Sequence, residues 1–221
     1  METLGIALGV VTLLAVVAVV GALIVIRSRV RKLGEVFTDA LGGGMPAVLS
    51  LTPRAVPEDD QELMARVKIL EGMGFQRVGG FDVDQLDGVR LVGMVHPRER
   101  VLGAVYRHPM AGTWTDLQLV YETAGSLTVT NTPHGSEMDH RPAHHKIYEP
   151  SLDEQDLLDL MRRKATTRNR RAVGGAEFKE LFEADHAAYM TWRLHRDGPT
   201  LDEIEVIAAN TRGEFTAKEI A

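Results

Sequence analysis

Residues 89–107, VRLVGMVHPRERVLGAVYR, decide the fold. Apolar and β-branched side chains fill 89–96 and 101–107, and His96-Pro97-Arg98-Glu99 breaks the run between them. Two such runs joined by so short a break read as neighbouring antiparallel strands. The same grammar continues on both sides. Strands are expected over 76–83, 113–122 and 126–131, with turns at Pro109-Met110-Ala111-Gly112 and Thr123-Ala124-Gly125. Short connections make the set a meander. Val101, Val105, Leu117, Leu119 and Tyr121 supply an apolar face that a helix must cover.

Upstream, Asp59 or Asp60 can cap a helix running to Glu71, with Leu63, Val67 and Leu70 in one stripe and Met64 beside it. Gly72 and Gly74 stop it. Downstream, Ser151 and Glu154 match a capping box ahead of Leu157, Leu158 and Met161. That helix is expected to run through Arg162, Arg163 and Lys164 and on to Arg168, Arg170 and Arg171, where Gly174-Gly175 breaks it. A further helix carries Phe178, Leu181, Phe182, Tyr189 and Trp192 on one face. A last, short one is expected through Ile204, Ile207 and Ala208. No internal repeat is present.

The N-terminal part is of another kind. Residues 4–26 are twenty-three consecutive uncharged residues, followed at once by Arg27, Arg29, Arg31 and Lys32. As a helix they extend roughly 34 Å, enough for a hydrocarbon core of about 30 Å. The run is too long for a signal-peptide core and Glu2 stands where a positive n-region is needed, so it reads as an uncleaved anchor. The following cations place the N-terminus outside and the rest of the chain on the cytoplasmic side of a cytoplasmic or inner membrane. Gly5 with Gly9, and Ala18 with Ala22, repeat at four-residue spacing, which lets a second helix approach closely.

The resulting expectation is an α+β protein: one transmembrane helix, then a cytoplasmic domain with an antiparallel meander packed by helices, and C-terminal helices. Its segments are an anchor with basic flank (1–32), a juxtamembrane helix and Gly/Pro linker (33–57), a meander domain (58–150) ending in a His-rich loop (131–150), and a C-terminal helical segment (151–221). Hydrophobic residues make up 44% of the chain, a figure the anchor inflates, so the core left for the domain is modest. The absence of cysteine excludes disulfides, thiolate catalysis and Cys-ligated metals.

The loop 131–150 holds four of the eight histidines. His134, His140, His144 and His145, with Asp139 or Glu137, are candidate metal ligands, but their spacing matches no preorganised pattern. The plain reading is a solvated loop whose Asn, Pro and His residues make local turns; a further one is that the loop, with Asn131, Asp139 and Tyr148, folds over a sheet edge or docks on a partner or ligand. His96 and His108, and the pair Asp116 and Glu122, are the acid–base candidates. The bland readings are strand ends for the histidines and a solvated sheet face for the carboxylates. No nucleotide-binding or hydrolase motif occurs. The cluster Arg162, Arg163, Arg168, Arg170 and Arg171, like the one at 27–32, is expected to meet lipid headgroups. A net charge of −6 and the lack of an aromatic platform beside the arginines argue against nucleic acid. The functional expectation is a non-enzymatic accessory or scaffolding subunit without cofactor, whose partners are membrane lipids and other integral-membrane subunits or a second copy. The alternatives are a tethered enzyme or metal-binding domain using the histidine loop, and a lipid or ligand sensor using the arginines.

Overall fold

The runs 91–95 and 101–105 are buried on both faces, because each alternate residue enters a different core. In the computed structural model, which describes residues 46, 48–133, 139–166, 170–196 and 200, these runs are the centre of a seven-stranded sheet. The strands are β1 (Leu51–Arg54), β2 (Gln76–Val83), β3 (Arg90–His96), β4 (Val101–His108), β5 (Gly112–Val120), β6 (Ser126–Thr130) and β7 (His144–Tyr148). They lie in sequence order, antiparallel throughout except for β6 and β7, which are parallel. The fold is an α+β domain built on a mostly antiparallel sheet. Among the described residues no helix is long and apolar enough to cross a membrane.

Helix α1 (Gln61–Gly72) starts at Asp60, whose carboxylate accepts from the Leu63 amide at 3.1 Å. It lays Leu63, Met64, Val67 and Leu70 on one sheet face. Helix α2 (Glu154–Lys164) adds Leu157, Leu158 and Met161 to the same core, opposite Val92, Met94, Val105, Leu117 and Val129. Helix α3 (Phe178–His195), entered through a 3-10 turn at Gly175–Glu177, covers the other face. There Phe178 packs with Phe81, Leu91, Val95, Leu102 and Ala104. The approach is so close that the Phe178 ring lies 2.7 Å from where a Cβ on Gly93 would stand. Helices α2 and α3 thus belong to the two cores of the meander, one on each side.

Two strands fall where the sequence patterns showed none. β1 lies within the expected linker 33–57, and only Leu51 of its four residues is buried. It is an edge strand whose outward ladder is closed. Ser50 accepts from the Asp84 amide, so Leu51 and Pro53 face away from β2. Glu183 on α3 accepts the Leu51 N–H at 2.7 Å, and proline has none to offer.

The second, β7, lies inside the expected loop 131–150, and it explains that loop's length. A parallel return to β6 needs a connection of about a dozen residues. Entry into β7 is tight. A Cβ on Gly125, which has φ +91°, would stand 2.1 Å from the Ala143 carbonyl oxygen, so only glycine fits. The capping box is also displaced: Asp153, not Ser151, caps α2, accepting from the Asp156 amide at 2.9 Å.

The residues Gly5, Gly9, Ala18, Ala22, Arg27, Arg29, Arg31, Lys32, His134 and Arg168, and the last expected helix, lie outside the described residues.

Candidate functional site

The face of the sheet under α3 changes character along its width. Over β2–β4 it is apolar. Over β5–β7 the alternation that buries Leu117 and Leu119 on one side puts Asp116 and Gln118 on the other, beside Thr130 and Ser126 of β6 and Lys146 and His144 of β7. Asp116 accepts from Thr130 Oγ1, and Lys146 Nζ lies 3.4 Å from its second oxygen. Asp185, midway along α3, accepts from Gln118 Nε2 at 2.9 Å and from Arg141 at 2.7 Å. Tyr106 and Trp114 stack at 4.8 Å beside this floor. Burial, reinforced by Asp116 and Asp185, pushes the Tyr106 phenol well above its ordinary pKa. The half of α3 beyond Phe182 is therefore held to the sheet largely by polar bonds.

Ser126, His144 and Asp185 meet here, and the geometry tests whether they form a nucleophilic triad. Ser126 Oγ is 2.9 Å from His144 Nδ1, but Asp185 approaches that same nitrogen, at 3.7 Å. A triad uses both ring nitrogens, one for the nucleophile and one for the orienting carboxylate. Arg141, which can only donate, also contacts Nδ1 at 3.0 Å. Nδ1 is then the acceptor of a neutral imidazole. Burial first, then Arg141, holds its pKa below the ordinary value, against a weaker pull from Asp185. The cluster fastens α3 and β7 together; it does not arm a base.

The remaining candidates separate in space. His144 and His145 alternate along β7 and take opposite faces, so they cannot share a metal, and His140 stacks on Tyr148 at 6.0 Å. Among the described residues no group of three or more His, Asp or Glu side chains is placed to hold a metal ion. Asp139 accepts from Arg196 and from Thr200, and its carbonyl accepts from the Tyr189 hydroxyl. Asn131 is buried and clamps β5 to the approach of α2, through the Thr115 amide at 2.7 Å and the Leu152 carbonyl at 3.0 Å. His96, at the end of β3, pairs with Val101 where β4 begins, and His108 pairs with Gly112 where β4 ends, so the two histidines lie a strand's length apart. His96 Nε2 meets the Met73 carbonyl at 3.1 Å, and His108 accepts two turn amides. Glu122 lies beyond the end of β5 and is exposed, so it does not share a site with Asp116.

Sequence reasoning missed Arg141, Lys146 and Asp185 as members of one cluster, and it read Glu154 only as part of a helix cap. The alternating Trp114, Asp116, Gln118 and Val120 was the available signal for a half-buried face with polar groups at its centre. Glu154 is 2% exposed and accepts from Arg66 and from Thr115 Oγ1, joining α1, β5 and α2 inside the apolar core.

The arginine cluster has internal partners. Arg162 bonds both Glu99 and Asp159, which lower the pKa of each carboxyl, and Arg171 pairs with Glu177. Arg163 and Lys164 are exposed. No protein-family model, no curated protein and no solved structure matches the chain.

Proposed function

We propose that this chain is a membrane-anchored accessory or scaffolding subunit that works by binding, with its domain on the cytoplasmic face. The observation that carries the reading is the uncharged run 4–26 closed by Arg27, Arg29, Arg31 and Lys32. A helix of that length holds a protein at a membrane, and the pairs Gly5/Gly9 and Ala18/Ala22 give it a face for a neighbouring helix. The use made of the domain's charged groups supports binding over catalysis. Asp116, Lys146, Asp185, Arg141 and Glu154 each engage a partner on another element: Asp116 and Lys146 tie β5 to β7, and Asp185, Arg141 and Glu154 hold helices to the sheet.

The test is purification from membranes in a mild detergent, with particle mass and protein content measured together. A larger particle with a second protein in fixed ratio is the expected result. The bare chain, alone or as a homodimer, contradicts the accessory role. Leucine at positions 5 and 9 should weaken the association, and unchanged co-purification would remove the anchor helix from the interface.

A further inference from the structure

The β3–β4 hairpin brings its turn to the C-terminal end of α2, and the two segments pool their positive charge. Arg162, in the last turn of α2, reaches Glu99 in that turn, between Arg98 and Arg100. Arg100 donates to the Arg170 carbonyl at 2.7 Å, and Arg170 donates back to the Glu99 carbonyl at 3.3 Å. Glu99 and Asp159 are absorbed by Arg162. Arg98, Arg163 and Lys164 are exposed and form no ion pair among the described residues.

Arg100 has φ +59°, the left-handed region in which glycine is the unstrained choice. From there its guanidinium reaches the Arg170 carbonyl, which fixes the turn against residues 170–171.

We infer that this face, built from the 97–100 turn, the last turn of α2 and residues 170–171, docks on the anionic lipid headgroups of the leaflet to which the chain is tethered. The inference rests on the membrane anchoring proposed above. Nineteen residues separate Ile26 from Pro46 and extend at most about 70 Å, which restricts the domain to the neighbourhood of the bilayer. The chain as a whole is acidic, at −6, so a cationic face on it is also the face that an anionic surface selects. A tethered domain needs only a weak attraction to take up one orientation. Each cation brought to such a surface is worth roughly a fivefold change in partition. Salt removes the effect, since the screening length falls to about 3 Å at 1 M.

The experiment places the full chain in lipid nanodiscs of neutral phosphatidylcholine, or of the same lipid with a third phosphatidylglycerol. Arginines are modified with phenylglyoxal and read out by peptide mass. On anionic discs Arg98 should react about fivefold or more slowly than on neutral discs, with Arg163 following it. Molar salt should restore the rate, and Arg54, paired with Asp82 at the far edge of the sheet, should not change. The substitutions Arg163→Glu and Lys164→Glu, both at exposed positions, should abolish the protection of Arg98. Equal rates on the two kinds of disc overturn the inference. Co-migration with neutral discs reports the anchor separately. A chain that joins only anionic discs, with Arg98 protected, would refute the anchor and leave the cationic face standing.

Discussion

Replacing Gly93 by alanine puts a methyl group into space that the Phe178 ring already fills. The new Cβ would lie 2.7, 2.9 and 2.9 Å from three ring carbons, against an optimum of about 3.5–4.0 Å between carbons. The ring cannot retreat freely. Phe178 is 2% exposed and stacks with Phe81 at 5.7 Å and with Phe182 at 6.2 Å. Overpacking of this kind costs about 1–3 kcal/mol, and in a domain of this size that lowers Tm by roughly 2–4 °C per kcal/mol. Phe178→Leu alone leaves a cavity and also destabilises. Combined, the two changes offset each other, because the alanine methyl occupies volume the phenyl ring has vacated. The double variant should recover about 1 kcal/mol or more relative to the sum of the single losses. Unfolding can be followed through the fluorescence of the two tryptophans, Trp114 on β5 and Trp192 on α3. Strict additivity, or a Gly93→Ala variant as stable as the parent, would refute the packing of α3 against this face.

The buried carboxylate on the other face gives an independent test. Glu154→Leu strands Arg66, and the buried Thr115 hydroxyl loses its acceptor, for a loss of about 2–3 kcal/mol in urea unfolding. Adding Arg66→Met and Thr115→Val should return most of it, whereas an unchanged midpoint for Glu154→Leu would show the network to be idle. His144 sets a pH dependence. Its pKa in the folded chain lies below the ordinary 6.5, so the unfolded chain takes up the proton first as pH falls. The neutral imidazole's contribution is therefore complete above about pH 6.5 and is lost progressively below it. The groups acting on the ring are Arg141, His145 and Asp185, with Ser126 bonded to it. His144→Gln should flatten the slope of stability against pH below 6.5, and an equally steep slope in the variant would assign that dependence to other groups.

The meander was legible because each of its strands carries several inward positions, and the breaks between them are short. Strands expected over 89–96, 101–107 and 126–131 appear within one or two residues of those limits. β1 and β7 escaped because edge strands carry too little apolar pattern. Leu51 is the one buried side chain of β1, and Ile147 is the one aliphatic side chain of β7. Coverage of both faces was written in the unbroken runs 91–95 and 101–105, since a strand exposed on one side alternates. Reading only Val101, Val105, Leu117, Leu119 and Tyr121 as inward saw one core and missed the other.

The displaced cap has a similar cause. Ser151 and Glu154 satisfy the capping-box pattern, but Arg66 and Thr115, distant in sequence, draw Glu154 into the core, and the nearer Asp153 takes the cap. The polar cluster under α3 was illegible for the same reason. Asp116, Arg141, His144, Lys146 and Asp185 come from three segments whose meeting depends on the parallel placement of β7 and on α3 crossing the sheet.

The anchoring of the chain is tested most directly by washing membranes from expressing cells with alkaline carbonate, which strips proteins held only by surface charge. The account predicts that the full chain stays in the membrane pellet, and that a chain lacking residues 4–26 moves to the supernatant with its tryptophan fluorescence still that of a folded domain. Release of the full chain into the supernatant would contradict it.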